Sequence, residues 1–370
     1  MRVSRLMAKE KEKKKERKSV FGLLMTNLFV GANLMTLVLL WGCIASVWLD
    51  VSLHPRLAIV GLAFPIILVL NLLFVPFWLL FKPRMLVVPL LGMAVCGGYI
   101  LDYHPVNLGG KGKGADLTLM SWNVNYMTYS GSDSSYIGWE YIKQSTADII
   151  CLQEAPRGKT VEERCDSLKA AGWYVDGASG LVVFSRYPVL CSEAVPVPDA
   201  KREYIKEVEL LVGGDTVTLF NLHLECNSLT ENERDEYGDV LKSRNRNAMK
   251  SEAHFLAGKL GESAHLRGLQ MRHLVQRLDS LPEGRRVLLC GDFNDTPISN
   301  AYHQVDRRLQ SAFRHGGTGL GFSYLDWRFP VRIDHVFYSD YWQCVSAYFD
   351  EELPCSDHLP LIVKLGKKEK

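Results

Sequence analysis

The most constraining feature is a run of thirty residues, Val20 to Leu49, without one charged side chain. A second run, Leu57 to Phe81, extends for twenty-five residues, and a third, Met85 to Leu101, for seventeen. A helix crosses the hydrocarbon core of a bilayer in about 20 residues, so the first two runs are long enough. The third is at the short end and contains Gly97-Gly98, which keeps a re-entrant or interfacial segment as its alternative. A cleavable signal peptide has an apolar region of about 7–15 residues. The first run is longer and is followed by more apolar chain, so it reads as a retained span. Residues 20–102 are therefore expected to form about three transmembrane helices, at about 20–49, 57–81 and 85–101.

The charges outside this block orient it. Residues 1–19 hold nine Lys/Arg and three Asp/Glu, a net of +6. Basic residues flanking the first span favour the cytoplasm, and the run also suits an anionic lipid surface. The first loop, Asp50–Arg56, carries one basic residue, and Lys82-Pro83-Arg84 carries two. The expected topology is a cytoplasmic basic tail (1–19), an outer first loop and an inner second loop. If the third span crosses, everything after Tyr103 is extracytoplasmic, in a periplasmic or extracellular space. The remainder of the chain carries a net of −5. That balance disfavours a protein that grips nucleic-acid backbones through a broad basic face, although Lys242, Arg244 and Arg246 could line a local groove.

Residues 103–114 end in the Gly-rich NLGGKGKG and read as a linker. One domain, 115–370, follows. Seven short apolar, β-branched runs predict strands: Leu117–Trp122, Asp148–Leu152, Leu181–Phe184, Thr216–Leu222, Arg286–Cys290, Ile333–Tyr338 and Pro360–Leu365. Helical patterns lie at Trp139–Thr146, Val161–Ala171 and Arg267–Leu278. The polar stretch Glu225–Leu266 reads as a solvated insertion or helical excursion, or as a substrate-facing cap. Cys151 and Cys290 sit in apolar runs and read as buried small hydrophobes. Cys344 and Cys355 could pair in an oxidising compartment.

The predicted strands end in polar residues. Asn123 and Asn125 follow the first, Glu154 the second, Arg186 the third and His223 the fourth. Asp292, Asn294 and Asp295 follow the fifth, Asp334 lies in the sixth, and Asp357-His358 precede the seventh. One such residue is routinely a turn former; many at strand ends point to a shared pocket. Asp, Glu and Asn oxygens suit Mg²⁺ or Mn²⁺, and no Cys/His zinc set accompanies them. Carboxylates to hold a hard cation, with His, Asn and Arg to contact phosphate oxygens, fit phosphate ester hydrolysis. His335 alternates with Asp334 along a strand and should face the other way, as a structural residue. Arg186 stays open between a phosphate contact and an ion pair.

The ordered motifs Ser-Trp-Asn-Val (121–124), Ile-Cys-Leu-Gln-Glu (150–154), Asn-Leu-His-Leu (221–224), Gly-Asp-Phe-Asn (291–294), Arg-Ile-Asp-His-Val (332–336) and Ser-Asp-His-Leu-Pro (356–360) resemble those of the endonuclease/exonuclease/phosphatase superfamily. The resemblance covers about residues 115–367. It implies a four-layer α/β sandwich of two packed sheets flanked by helices, and an Mg²⁺- or Mn²⁺-dependent phosphoric ester hydrolase. It also implies roles. Glu154 resembles the principal metal ligand, Asp357 a second metal-side ligand, and Asn123 the amide shaping the metal and phosphate site. His223 resembles a phosphate-contacting histidine. Asp292 and Asn294 resemble the pair that positions or deprotonates water, and Asp334 the carboxylate that orients the catalytic His358. The general base, Asp292 or the His358–Asp334 pair, stays open. Abasic-site endonucleases have an acidic residue where Asn125 stands, which favours a single metal anchored on Glu154. Glu352-Leu-Pro-Cys-Ser356 replaces the longer element of the inositol-polyphosphate branch and disfavours that substrate. The expectation is a membrane-anchored phosphodiesterase or phosphomonoesterase acting on a lipid head group or small phosphoester. An extracytoplasmic nuclease and a catalytically silent membrane scaffold are the alternatives.

Overall fold

The computed structural model describes residues 2–51, 53–107, 114–128, 134–177, 180–198, 202–227, 246–325, 330–351 and 355–368. The acidic cluster at 231–236, Lys242, Arg244 and most of the Gly-rich linker lie outside the described residues. The chain divides into two units, one of residues 1–45 and 63–98, the other of 46–62 and 99–370.

The first unit is helical. Helix α1 (Arg2–Ser46) carries the candidate span Val20–Ser46. After a short α2 (Pro55–Ala58), which falls in the second unit, α3 (Phe64–Phe81) completes a second candidate span, Pro55–Phe81. The third apolar run is broken: α4 (Val87–Ala94) and α5 (Gly97–Tyr103) belong to a pair of segments bent by 68°. Two helices are thus long and apolar enough to cross a membrane, and up to three if the bent pair is one span. Polar side chains inside this unit bond between helices. Asn71 donates to the Thr36 carbonyl (3.1 Å), and Trp78 Nε1 donates to Asn33 Oδ1 (3.1 Å). Helices in lipid gain little from apolar contact alone, so such bonds help to fix their pairing.

The second unit is a four-layer α/β sandwich. One sheet contains β1 (Leu117–Asn123), β2 (Ile149–Ala155), β3 (Tyr174–Asp176), β4 (Gly180–Ser185), β11 (Trp342–Phe349) and β12 (Leu361–Lys367), in the order β11-β12-β1-β2-β4-β3. The other contains β5 (Val189–Ala194), β6 (Ile205–Val212), β7 (Asp215–His223), β8 (Arg286–Asp292), β9 (Gln310–Ser311) and β10 (Asp334–Tyr338), in the order β5-β6-β7-β8-β10-β9. Each sheet has one parallel pair at its centre, β1/β2 and β7/β8, and antiparallel pairs outside it.

Alternation builds the layers. Leu117 and Leu119 of β1 join Leu219, Leu288 and Val336 between the sheets. Met120 and Trp122 point the other way, onto Trp139 and Ile142 of α6 (Ser134–Gln144) and Leu168 of α7 (Lys159–Ala170). On the far side, Phe220, Leu222 and Leu289 pack on Met271 and Leu274 of α8 (Arg246–Ser280) and Val305 of α9 (Asn300–Asp306). Central strands buried on both faces read as continuous apolar runs. All seven predicted strands lie on these central or near-central elements. The structure adds β3, β5, β6, β9 and β11, which are short, edge-placed or charged. In β6 the charge is buried: Glu207 takes a two-pronged ion pair from Arg277 (2.6 and 2.7 Å). The predicted helix Arg267–Leu278 is the end of the 35-residue α8.

Candidate active site

The site forms where the central parallel strands end, the usual place for a ligand crevice in α/β sheets. Register does much of the assembly. His223 of β7 pairs with Asp292 of β8, and Asp292 pairs with Asp334 of β10. Three functional side chains thus stand abreast on adjacent strands. Gly291 permits this approach, because a Cβ there would lie 1.9 Å from the Leu222 carbonyl oxygen and its φ is +141°. Asn123, ending β1, pairs with Gln153 of β2. Glu154 then turns into the left-handed region (φ +52°), as does Asn294 (φ +50°). Such strain in non-glycine residues clusters at functional sites.

Side-chain contacts close the cluster. Asn123 Nδ2 donates to Asp292 Oδ2 (3.0 Å) and Glu154 Oε1 (3.3 Å), while its Oδ1 accepts the Asn125 N–H (3.0 Å). His223 Nε2 lies 3.4 Å from Glu154 Oε1 and 3.7 Å from Asp292 Oδ2. His358 Nδ1 donates to Asp334 Oδ2 (2.7 Å), and its Nε2 is 3.8 Å from Asp292 Oδ2. Asp292 Oδ1 accepts the Asn294 N–H (2.8 Å), and Asn294 Nδ2 donates to the Leu224 carbonyl (3.1 Å). Asp357 joins through Asn125, whose Nδ2 donates to its Oδ1 (2.9 Å). All eight residues expected at the site, Asn123, Glu154, His223, Asp292, Asn294, Asp334, Asp357 and His358, fall in this connected set.

Burial and charge set the protonation states. Burial, then repulsion from Asp334, pushes the Asp292 carboxyl up to about 7. Burial opposes the charged form of His358, but Asp334 and Asp292 outweigh it and raise the imidazole to about 10. His223 goes the other way: burial, then Arg202 and His358, hold it well below the ordinary histidine range. One imidazole is therefore cationic and the other neutral at pH 7. His335 faces away, as alternation predicts. It packs on Phe293 and Tyr302, with Nε2 3.0 Å from the Asp295 carbonyl, and burial lowers it to about 3. Arg186 stacks on Trp173 at 3.9 Å. Cys344 and Cys355, both buried, are not joined by a disulfide.

Asp292, Asp334 and His358 offer ligand atoms within 4.8 Å of one another. The Asp334–His358 hydrogen bond already engages two of these groups, so the trio fits proton handling better than cation binding. Glu154 and Asp357 are hard oxygen donors, half-buried, beside a buried excess of negative charge that a cation would offset. Asn123 turns its nitrogen toward Glu154, so it acts here as a donor rather than as a ligand oxygen. Sequence reasoning missed Arg202, whose Nη1 bonds His223 Nδ1 (3.1 Å), and Ser323, whose Oγ accepts the Asp334 N–H (3.1 Å). Neither stands in a motif, and Arg and Ser are ordinary surface and loop residues.

Two packed sheets carrying carboxylate, amide and imidazole side chains at their central strand ends fit the chemistry of phosphate ester hydrolysis. The chain belongs to the Endonuclease/Exonuclease/phosphatase family, whose pattern matches residues 120–358. Residues 26–103 match a domain of unknown function, DUF8431. Nocturnin of Drosophila melanogaster is 26% identical over 209 residues, which are 52% of this chain and 31% of that protein. The chain thus spans about a third of the length of this relative. Among solved structures, an endonuclease/exonuclease/phosphatase from Bacteroides vulgatus is 18% identical, with a TM-score of 0.49 over 68% of this chain and 99% of that one. The human Nocturnin catalytic domain with bound sulfate is 17% identical, with a TM-score of 0.47 over 68% of this chain and 94% of that one.

Proposed function

We propose that the protein is a membrane-anchored, divalent-cation-dependent phosphoesterase that hydrolyses a phosphodiester or phosphomonoester, with a lipid head group or small phosphoester favoured. The observation that carries this reading is the His223–Asp292–Asp334 register, with Glu154, Asn123 and His358 closed around it. Glu154 and Asp357 would hold Mg²⁺ or Mn²⁺, which when bound would neutralise phosphoryl charge and polarise the ester. The chain's own groups divide the remaining work. Asp292, poised near 7, takes the proton from the attacking water; a base is most effective with its pKa near the working pH. This favours Asp292 over the His358–Asp334 pair, because His358 is already protonated. Cationic His358 and the neutral His223 N–H instead donate to phosphoryl oxygens as charge builds on them. Asn294 holds Asp292 through its backbone N–H, and Asn123 holds both Asp292 and Glu154.

The anchoring has its own support. Asn300 Nδ2 donates to the carbonyls of Val47 (2.8 Å) and Leu49 (3.0 Å) in the loop after the first span. This supports a reading in which that loop and the catalytic domain share one side of the bilayer. With Val20–Ser46 and Pro55–Phe81 both crossing, the segment from Pro83 to Tyr103 would then cross as well. The basic tail favours the N-terminus in the cytoplasm and, on this reading, the catalytic domain outside it. The test of function is a panel of phospholipids, sphingomyelin, sugar phosphates, plasmid DNA and RNA, offered to the full chain with MgCl₂ or MnCl₂. Hydrolysis of a lipid or small ester supports the reading. Plasmid nicking or RNA cleavage alone would favour a nuclease, and no hydrolysis with any member would favour a silent scaffold.

A further inference from the structure

We propose that Arg202 is a positioning residue that fixes the tautomer of His223, so that this imidazole presents an N–H, and not a lone pair, to the reacting phosphate. The argument rests on donor and acceptor chemistry. A guanidinium carries only donors. Arg202 Nη1 lies 3.1 Å from His223 Nδ1, and its Nη2 donates to the Leu224 carbonyl (3.3 Å). Nδ1 must therefore be the accepting nitrogen, and in the neutral ring the proton is on Nε2. That Nε2 is buried and has no hydrogen-bond partner among the described residues. It is directed at the space beside Glu154 Oε1 (3.4 Å) and Asp292 Oδ2 (3.7 Å). A buried N–H with no hydrogen-bond partner, set among carboxylates, can donate to an oxygen of the substrate.

The surroundings hold this arrangement. The His223 backbone N–H donates to the Tyr204 carbonyl (2.9 Å), the Arg202 guanidinium lies over the Tyr204 ring at 4.9 Å, and the Tyr204 hydroxyl donates to Glu225 (2.6 Å). Arg202 itself is exposed, so it can be replaced without opening the core. Without it, no hydrogen bond to the ring specifies which nitrogen carries the proton, and only the more distant carboxylates of Glu154 and Asp292 bias it. In the opposite tautomer the Nε2 lone pair would face the phosphoryl oxygens and repel them. The proposal rests on the phosphoesterase reading for its kinetic consequence but not for the tautomer.

The test uses the full chain in detergent, labelled with ¹⁵N-histidine, with the His223 signals assigned through their loss in His223→Asn. Long-range ¹H–¹⁵N spectra read which ring nitrogen is protonated, without turnover. Wild type is expected as the Nε2–H form. Arg202→Met is expected to mix or invert the tautomers. In parallel, its kcat on bis(p-nitrophenyl) phosphate with MgCl₂ should fall about 10- to 100-fold, as for lost outer partners of functional histidines, with KM little changed. Arg202→Lys, which keeps a donor, should restore the tautomer and most of kcat. An Nε2–H form that persists in Arg202→Met overturns the proposal, as does an inverted tautomer with unchanged kcat. If the tautomer responds as stated but no variant, wild type included, hydrolyses any ester, the positioning role stands and the phosphoesterase reading fails.

Discussion

Asp292 and His358 must be in opposite protonation states to work, and this gives the site a measurable pH signature. Asp292 sits near 7 and must be ionised to accept a proton; His358 sits near 10 and must stay protonated to donate. The profile of kcat/KM should therefore rise with an apparent pKa near 7 and fall near 10, values that belong to the coupled pair. Asp334→Asn removes the carboxylate that raises His358. Its alkaline limb should move to lower pH and its kcat should fall by about 10²–10⁴-fold. The same burial has a stability consequence. The folded state holds Asp292 above its ordinary carboxyl value, so it favours the protonated form. Its contribution to stability is fully present below about 3.8 and is lost as pH rises through about 7. Asp292→Asn should therefore raise the thermal midpoint at pH 8 while abolishing hydrolysis, and calorimetry beside an activity assay checks both. Every one of these residues was legible, because each stands in a motif at a strand end. Arg202 was not, because its partner is a ring nitrogen reached across a loop.

Among the elements, the central strands were legible and the edges were not, for one physical reason. β1, β2, β7 and β8 are buried on both faces and so are written as apolar runs. β5 is exposed along most of its length, and β6 hides its charges in ion pairs, so neither shows a clean period. The stretch after the third apolar run was also read as linker, yet its first residues are built into the catalytic domain. Buried Arg332, two positions before Asp334, donates to the carbonyls of Asp102, Tyr103 and Leu320. Asp102 pairs with Arg314, and Asn107 Nδ2 donates to the Arg314 carbonyl (2.9 Å). A fragment starting at Ala115 removes the Asp102 and Tyr103 carbonyls from Arg332 and the Asp102 carboxylate and Asn107 amide from Arg314, at about 1–3 kcal/mol for each buried group. It should melt several degrees below a fragment starting at Tyr99, and a differential scan of the two reads the gap.

At the scale of the whole molecule, a net charge of +2 sums a basic tail, an almost uncharged block and an acidic catalytic domain. Length and hydropathy made the first two apolar runs legible; the third was ambiguous because it is a helix pair bent by 68°. The contact of Asn300 with Val47 and Leu49 supplies what hydropathy lacked, a link between the first loop and the catalytic domain. Single cysteines placed at Asp50 and near Lys368, in a background without exposed thiols, should react alike with an impermeant maleimide from outside, whereas one at Lys9 should not. Labelling of the Asp50 and Lys368 positions from opposite sides would contradict the three-span arrangement. The proposed hydrolysis of phosphate esters depends on a cation held on Glu154. The most direct measurement is turnover of bis(p-nitrophenyl) phosphate by the full chain in detergent with MgCl₂, compared with the same protein in EDTA and with Glu154→Gln. The expected result is loss of turnover in EDTA, restored by added Mg²⁺ or Mn²⁺, and a fall in kcat of at least about 100-fold in the variant. Turnover that survives EDTA, or a Glu154→Gln variant as active as wild type, would contradict it.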